Sequence, residues 1–180
     1  MGRIVRMDDW DKDGIVRCRH VRRSDMRFRP SLHRKGGMYF ITMYRRTREG
    51  CTFAEIKSSG EHAGTVSGEL ASFLSSFVGD LSGWAIITTP ARRHYGGFHF
   101  ATEVCRKVAE AVKIPFYEGA VQCTDKNRLN PDFHLLRPLA EERIIIFDDI
   151  ITTGKTLEAT YGLIREGRKQ VVCIVGINNR

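Results

Sequence analysis

The sequence lacks any hydrophobic run long enough to cross a membrane. None of its 180 residues belongs to a stretch approaching the roughly 18 apolar residues that a spanning helix needs. The first 14 residues also lack an apolar centre of the kind found in signal peptides. We therefore expect a cytoplasmic protein without a membrane partner.

The sequence also lacks the cysteine pattern of a disulfide framework or a structural zinc site. The cysteines are odd in number, widely spaced and never arranged as C-x-x-C, at Cys18, Cys51, Cys105, Cys123 and Cys173. Ordinary thiols are therefore the expected state.

Most of the chain lacks an excess of positive charge, and the whole excess lies in the first 50 residues. The whole sequence holds 29 Lys and Arg against 21 Asp and Glu, a net charge of +8. Residues 1–50 contain 14 basic and 6 acidic side chains, whereas residues 51–180 contain 15 of each. The basic segment therefore needs an explanation separate from that of the remaining chain.

What the sequence does contain is an alternation of apolar strands and amphipathic helices. Apolar runs at 84–88, 144–147 and 171–177, with a shorter one at 114–117, predict strands. Helical spacing covers 98–112 and 156–166, and a polar loop is expected over 119–136. Uniformly apolar strands separated by single helices predict an α/β fold, a parallel twisted sheet with helices on both faces.

The N-terminal half is less regular. Residues 38–44 read as a strand with two usable faces, and residues 67–81 read as a helix. A glycine- and serine-containing passage at 58–68 is expected to separate them, whereas residues 1–37 show no clear pattern.

The most informative segment is 143–156, with the sequence RIIIFDDIITTGKT. It combines a buried strand, two carboxylates at the strand's carboxyl end, and a loop of small residues that enters a helix. Ligands of parallel sheets bind beyond the carboxyl ends of the strands, and a helix N-terminus attracts anions. We therefore predict a phosphate site formed by Thr152, Thr153, Gly154, Lys155 and Thr156, beside Asp148 and Asp149.

This segment has two other interpretations. A Walker A loop would share Gly154, Lys155 and Thr156, but it requires a glycine where Asp149 stands. An ordinary strand-to-helix turn would leave the two aspartates a coincidence. The length of the matched string favours a ligand site.

Residues 144–156 resemble the signature of the type I phosphoribosyltransferases. The resemblance implies an enzyme of nucleotide metabolism that binds 5-phosphoribosyl 1-pyrophosphate (PRPP) and Mg²⁺ and exchanges pyrophosphate for a nitrogenous base or amine. It implies that Asp148 and Asp149 are catalytic residues contacting the ribose hydroxyls, and that Thr152–Thr156 hold the 5-phosphate. The Mg²⁺ ion would be carried by PRPP near the two aspartates, without a dedicated protein metal site.

Two further landmarks of these enzymes can be placed by the same resemblance. The pyrophosphate loop would comprise Thr89, Pro90, Ala91, Arg92 and Arg93, directly after the strand at 84–88. Two arginines there suit a leaving group that gains negative charge. A catalytic loop within 119–136 would supply Lys126 and Arg128.

The stretch from Pro90 to His99 is similar to the ComF-type branch of this superfamily. His99 stands where that branch has Asn, and a cysteine-rich zinc module is lacking. Enzymes acting on hypoxanthine or guanine carry Asp where this chain has Thr152, which makes those bases less expected substrates.

The resemblance further implies a homodimer and a variable hood that holds the base. We expect the hood within residues 1–80, as a basic extension of a core formed by residues 81–180. The arginines of residues 17–35 have three interpretations: an anionic-substrate region or dimer surface of the enzyme, a solvated basic face, or, given the nearby aromatic side chains, a contact with nucleic acid. The alternative to an enzyme is therefore a non-catalytic sensor of PRPP or a nucleotide that contacts DNA or RNA.

Overall fold

The computed structural model describes residues 23–90, 98–123, 132–167 and 169–179. In chain order the elements are β1 (Arg23–Lys35), β2 (Met38–Thr47), β3 (Cys51–Thr52), α1 (Phe53–Ser58), α2 (Gly60–Phe77), β4 (Trp84–Thr88), α3 (Phe100–Val112), β5 (Val121–Cys123), β6 (Phe133–Leu135), β7 (Arg143–Ile151), α4 (Lys155–Glu166) and β8 (Gln170–Asn178).

A six-stranded sheet in the order β3-β1-β2-β8-β7-β4 forms the centre of the described chain. The neighbours β2, β8, β7 and β4 run parallel. The apolar runs of β4, β7 and β8 suit such strands, because both faces of a parallel sheet are covered. Helices α1, α2 and α3 contribute to the core on one face. Helix α4 and the β5–β6 hairpin cover the other. The predicted α/β fold is confirmed.

The N-terminal basic segment contributes strands to this same sheet. Strand β1 pairs antiparallel with β2, and β2 pairs parallel with β8, with Phe40 opposite Cys173. Met43 and Leu70 share a core with Ile86. The hydrophobic core is therefore continuous across residue 80, where we expected the extension to meet the core. The expected role of residues 1–80 as a hood that holds the base stays a prediction.

The structure differs from the sequence predictions at four places. Residues 23–35, for which no element was predicted, form β1, whose polar composition suits a strand at the open side of the sheet. Helix α2 already begins at Gly60 within the expected 58–68 spacer, because Ser59 caps it and Ala63 and Val66 are buried. Burial here outweighs the low helix propensity of glycine and serine. The helix also ends at Phe77, before the predicted residue 81.

The other two differences concern 114–136. The expected strand at 114–117 makes only a single bridge, between Phe116 and Ile86, because Pro115 has no backbone N–H to continue the pairing. The expected loop at 119–136 contains the β5–β6 hairpin, in which Val121 pairs with Leu135.

Within the described ranges, no helix combines the length and apolar character that crossing a bilayer requires.

Candidate ligand site at the carboxyl edge of the sheet

The carboxyl ends of β4 and β7 bring two predicted site residues into contact. The two strands are paired, with Thr88 opposite Phe147. The next residue, Thr89, continues this pairing, because its backbone N–H donates to the Phe147 carbonyl at 3.2 Å. Its hydroxyl donates to Asp148 Oδ1 at 2.9 Å. The threonine of the expected pyrophosphate loop therefore positions the first of the two aspartates.

Asp149 is held by different partners, since adjacent residues of a strand point to opposite faces. Its Oδ1 atom accepts a hydrogen bond from the Ile150 backbone N–H at 2.7 Å. Its Oδ2 atom lies 2.8 Å from Nζ of Lys57, in a salt bridge from helix α1. On the neighbouring strand, a Cβ at Gly176 would lie 2.5 Å from the Asp149 carbonyl oxygen. Glycine at position 176 therefore lets β8 approach the backbone of the second aspartate.

The two aspartates create an unusual electrostatic environment for Asp148. Burial and, next in size, the neighbouring Asp149 carboxylate raise the pKa of Asp148 from 3.8 to about 7. The hydrogen bond from Thr89 and the positive charge of Lys57 act in the opposite direction. Asp148 therefore changes its protonation state near neutral pH, which is a property of many ligand and catalytic sites.

The loop after β7 turns sharply into helix α4 at Gly154. This residue has φ of 73°, in the left-handed region, and a Cβ there would lie 2.9 Å from Cδ1 of Ile151. Gly154 is the N-cap of α4 and supplies no side-chain hydrogen bond to the first turn. A helix begun in this way presents backbone N–H groups and the positive end of its dipole to an anion.

The aspartates and the start of α4 open onto one cavity of about 720 Å³. This volume is within the range of small-molecule sites, roughly 300–1,000 Å³. The described lining residues come from the N-terminal half (Ala54, Lys57, Ser58), from the region around the start of α3 (Phe98, His99, Phe100, Ala101), and from the ends of β4 and β7 with the following loop (Thr89, Pro90, Asp148, Asp149, Ile150, Ile151, Thr152, Thr153, Gly154, Thr156). The cavity therefore combines carboxylates, hydroxyls, a helix N-terminus and one apolar wall.

Several solved structures share this architecture. An adenine phosphoribosyltransferase is 16% identical, with a TM-score of 0.53 over 83% of this chain and 84% of that one. The Saccharomyces cerevisiae adenine phosphoribosyltransferase, complexed with D-2,5-dideoxy-2,5-imino-altritol 1,6-bisphosphate and adenine, is 15% identical, with the same score and coverage. The fold is that of the type I phosphoribosyltransferases.

A hypoxanthine phosphoribosyltransferase from Trypanosoma cruzi is also similar, at 16% identity and a TM-score of 0.47 over 67% of this chain and 69% of that one. No protein-family model matches the chain, and no curated protein matches it either.

In this phosphoribosyltransferase fold, most of the predicted site residues that are described lie together. The cavity is lined by both aspartates, by Thr89 and Pro90, and by every predicted phosphate-site residue except Lys155. The Lys155 side chain is exposed and is not part of the lining. Ala91, Arg92 and Arg93, and likewise Lys126 and Arg128, fall outside the described residues.

Lys57 is the site residue that the sequence analysis missed. It belongs to the six-residue helix α1, whose existence is signalled by a capping box: Thr52 Oγ1 accepts from the Glu55 N–H, and the Glu55 carboxylate accepts from the Thr52 N–H. That signal is visible in the sequence and could have located the helix. Nothing in the local pattern places Lys57 beside Asp149, because the contact depends on how α1 packs against the sheet through buried Ile56.

A second concave surface, which we call the arginine groove, lies beside the β1–β2 hairpin. It has a volume of about 1260 Å³ and is lined by Arg29, Arg45, Arg46 and Arg48, by Pro30, Ser31, His33, Thr42, Tyr44 and Thr47, and by Asn178. No acidic side chain is among these lining residues. The Ser31 hydroxyl, the Thr42 hydroxyl and His33 Nε2 lie within 3.0 Å of one another, and the His33 ring stacks on Phe40. The groove is therefore a strongly positive surface with an ordered polar floor.

Proposed function

We propose that this chain is a Mg²⁺-dependent phosphoribosyltransferase that binds PRPP and transfers its phosphoribosyl group to a nitrogenous base or amine. The observation that carries the proposal is one cavity that joins a carboxylate pair at the end of β7 to the glycine-initiated N-terminus of α4. A sugar phosphate needs both features in one cavity, because its hydroxyls and its phosphate are fixed on one small molecule.

In this assignment the 5-phosphate lies at the start of α4. The backbone N–H groups after Gly154 and the hydroxyls of Thr152, Thr153 and Thr156 would bind its oxygens. Asp148 and Asp149 would accept hydrogen bonds from the ribose hydroxyls. Thr89 and Pro90 begin the pyrophosphate loop, in which Arg92 and Arg93 are proposed to bind the departing group. Lys155, being outside the cavity lining, contributes through its backbone N–H.

The carboxylates also fit a magnesium ion that arrives with the ligand. Magnesium sites in nucleotide enzymes use one or two carboxylates together with substrate phosphates and water. Among the described residues, no cluster of three or more His, Cys, Asp or Glu forms a metal site. As the resemblance implies, we propose that PRPP oxygens would hold the ion near Asp148 and Asp149, where it would neutralise charge on the pyrophosphate.

Breaking the bond between ribose C1 and pyrophosphate builds positive charge on the sugar ring and negative charge on the leaving group. The chain's contribution is to hold the sugar and its 5-phosphate so that C1 faces the incoming nitrogen atom. Carboxylates beside the ribose favour the positive ring, and Arg92, Arg93, Lys126 and Arg128 are proposed to stabilise the departing pyrophosphate.

Adenine is the first base to test, because the similar yeast enzyme was crystallised with it. Thr152 argues against hypoxanthine and guanine, because enzymes acting on those bases carry Asp at this position. Membership of the ComF-type branch remains a proposal, supported at His99: its imidazole accepts from the Thr102 N–H and caps α3. Because asparagine is a preferred capping residue, the exchange of Asn for His preserves this structural role.

The test is calorimetric titration of the protein with PRPP and Mg²⁺, followed by measurement of pyrophosphate release with a panel of bases and amines. We expect PRPP binding that is lost in the Asp148→Asn, Asp149→Asn double variant. Absence of binding to the wild-type protein would refute the assignment of the cavity. Binding without pyrophosphate release across the panel would favour a sensor on the same fold. Sedimentation velocity in the same buffer tests the homodimer that the resemblance implies.

The arginine groove favours a second candidate function, binding of single-stranded nucleic acid. Four arginines with no acidic neighbour in the lining suit a phosphate backbone. Arg27, Arg29 and Arg34 of the predicted basic segment are exposed on β1, whereas residues 17–22 fall outside the described residues. The groove is separate from the PRPP cavity, so the two functions can coexist in one molecule.

Fluorescence anisotropy with a labelled single-stranded oligonucleotide tests this candidate. Because β1 is a strand of the sheet, substitutions are preferable to removing residues before Met38. We expect the Arg46→Ala, Arg48→Ala double variant to weaken binding about tenfold and to reduce the salt slope by about 2. Arg165→Ala, at an exposed arginine of α4 outside the groove lining, is the matched control. Equal affinity of the double variant and the control would rule out the groove.

A further inference from the structure

Helix α1 places one lysine directly in the candidate PRPP site, although this helix lies far from the 144–156 segment in sequence. Lys57 Nζ is 2.8 Å from Asp149 Oδ2, and the Lys57 side chain is 47% exposed while that of Asp149 is 15% exposed. Both residues line the cavity. The ammonium group is therefore at the boundary between the protein and the space that a ligand would occupy.

The lysine is held in this place by its own helix. The reciprocal hydrogen bonds between Thr52 and Glu55 fix the start of α1. Ile56, immediately before Lys57, is 2% exposed and belongs to the core that also contains Phe147 of β7. Because α1 is anchored on the core that supports β7, the fold fixes the backbone of Lys57 relative to Asp149, and the lysine side chain spans the remaining distance.

The salt bridge leaves Asp149 with both carboxylate oxygens engaged. Oδ1 accepts from the Ile150 N–H and Oδ2 faces Lys57, while Asp148 Oδ1 accepts from Thr89. Two adjacent carboxylates would repel each other and an incoming polyanion, and one fixed ammonium group offsets that repulsion. A divalent cation approaching Asp149 Oδ2 would meet this ammonium group first.

We propose that Lys57 is a positioning residue and the resident cation of the site: it orients Asp149 toward the ribose and occupies the place beside Asp149 that a divalent metal would otherwise take. The part of this inference that concerns ribose rests on the proposed function. The part that concerns the cation does not, because it is a property of the ligand-free protein. Divalent metal would then enter the site with PRPP and not before it.

The experiment compares Lys57→Met and Lys57→Arg with the wild-type protein. The control is Lys107→Met, because Lys107 is similarly exposed (41%), also pairs with a carboxylate (Glu103 at 3.4 Å), and lies outside the cavity lining. Circular dichroism and thermal unfolding establish that each variant is folded. If Lys57→Met fails to fold, Lys57→Gln replaces it.

The first measurement is the affinity of the ligand-free proteins for Mn²⁺ at pH 8. The electron paramagnetic resonance signal of the unbound ion gives the free Mn²⁺ concentration. We expect Lys57→Met to bind Mn²⁺ at least tenfold more tightly than the wild type, Lys57→Arg and Lys107→Met. Equal Mn²⁺ affinity of Lys57→Met and the wild type would overturn the resident-cation role. This measurement needs no PRPP and is valid whether or not the protein is a phosphoribosyltransferase.

The second measurement is calorimetric PRPP affinity at saturating Mg²⁺. We expect Lys57→Met to weaken PRPP binding about tenfold, because Asp149 loses the charge-assisted contact with Lys57 that orients its carboxylate toward the ribose. Lys57→Arg should weaken PRPP binding less. Unchanged affinity in Lys57→Met would overturn the positioning role. Failure of the wild type to bind PRPP would instead refute the proposed function, and the Mn²⁺ measurement would still decide the role of Lys57 as a cation.

Discussion

Replacing Asp148 with asparagine should stabilise the protein at alkaline pH. Asp148 has a pKa of about 7 in the folded chain, compared with an ordinary value of 3.8. Between these two values the folded state binds more protons than the unfolded state, so the free energy of unfolding falls as the pH rises through this window. Asparagine has nearly the same shape and does not ionise, and it can still accept the hydrogen bond from Thr89.

The size of the effect follows from the shift. At about 1.4 kcal/mol per pKa unit, the ionised Asp148 costs the folded state at most about 4 kcal/mol above pH 8. Asp148 keeps some exposure to the cavity, and water there screens its charge. We therefore expect roughly half of that limit, about 2 kcal/mol.

Urea unfolding at several pH values between 4 and 8 measures this difference. The Asp148→Asn variant should match the wild type near pH 4 and exceed it increasingly toward pH 8, with unchanged m-values. Asp80→Asn is the control, because the hydrogen bonds from Ser82 lower the pKa of exposed Asp80 and its charge is constant over most of this range. A stability difference independent of pH, or a variant less stable than the wild type at pH 8, would refute the reasoning.

Three further substitutions test the construction of the site. Gly154→Ala should destabilise the protein by about 1–2 kcal/mol and abolish PRPP binding, because Gly154 has φ of 73° and a Cβ would press on Ile151. Urea unfolding measures the loss of stability and calorimetry measures PRPP binding. Unaltered PRPP binding would contradict this prediction. Thr52→Ala should cost about 1 kcal/mol in urea unfolding and weaken PRPP binding by loosening α1, whereas Thr65→Ala, on the exposed side of α2, should change neither. Thr89→Val should raise the pKa of Asp148, because it removes the hydrogen bond from Thr89. The loss of stability on raising the pH should then occur at higher pH in urea unfolding. An unchanged dependence of stability on pH would exclude the Thr89–Asp148 contact.

The segment around β7 could be predicted from sequence because its determinants are local. Four apolar residues specify a buried strand, and Gly154 specifies the turn into α4, so the positions of the aspartates and of the proposed anion-binding loop follow from the order of residues alone. The packing of Thr89 against Asp148 could be anticipated only through the resemblance, since it requires β4 and β7 to be neighbours.

The structure of the N-terminal half is difficult to predict from the sequence, because it depends on long-range contacts. Strand β1 has a polar sequence with no apolar alternation, and it is a strand because β2 pairs with it. Helix α2 contains three glycines in its first half and is stabilised by burial of residues such as Val66 and Leu70. The contact between Lys57 and Asp149 joins two elements that share no local pattern, so only the three-dimensional structure reveals it.

The strand order also constrains how this protein can be assembled during synthesis. Strand β8 lies between β2 and β7, yet it follows all the other strands in the chain. Until β8 is made, β2 and β7 lack the strand that lies between them, so an N-terminal hairpin and a β4–β7 pair would each have an unpaired edge. Such edges are prone to pair with other chains, and long-range parallel pairing is slow. A ribosome-bound chain that stops before residue 170 therefore lacks the strand that joins its two halves, and we expect the residues of the candidate cavity to come together only when β8 pairs with both β2 and β7.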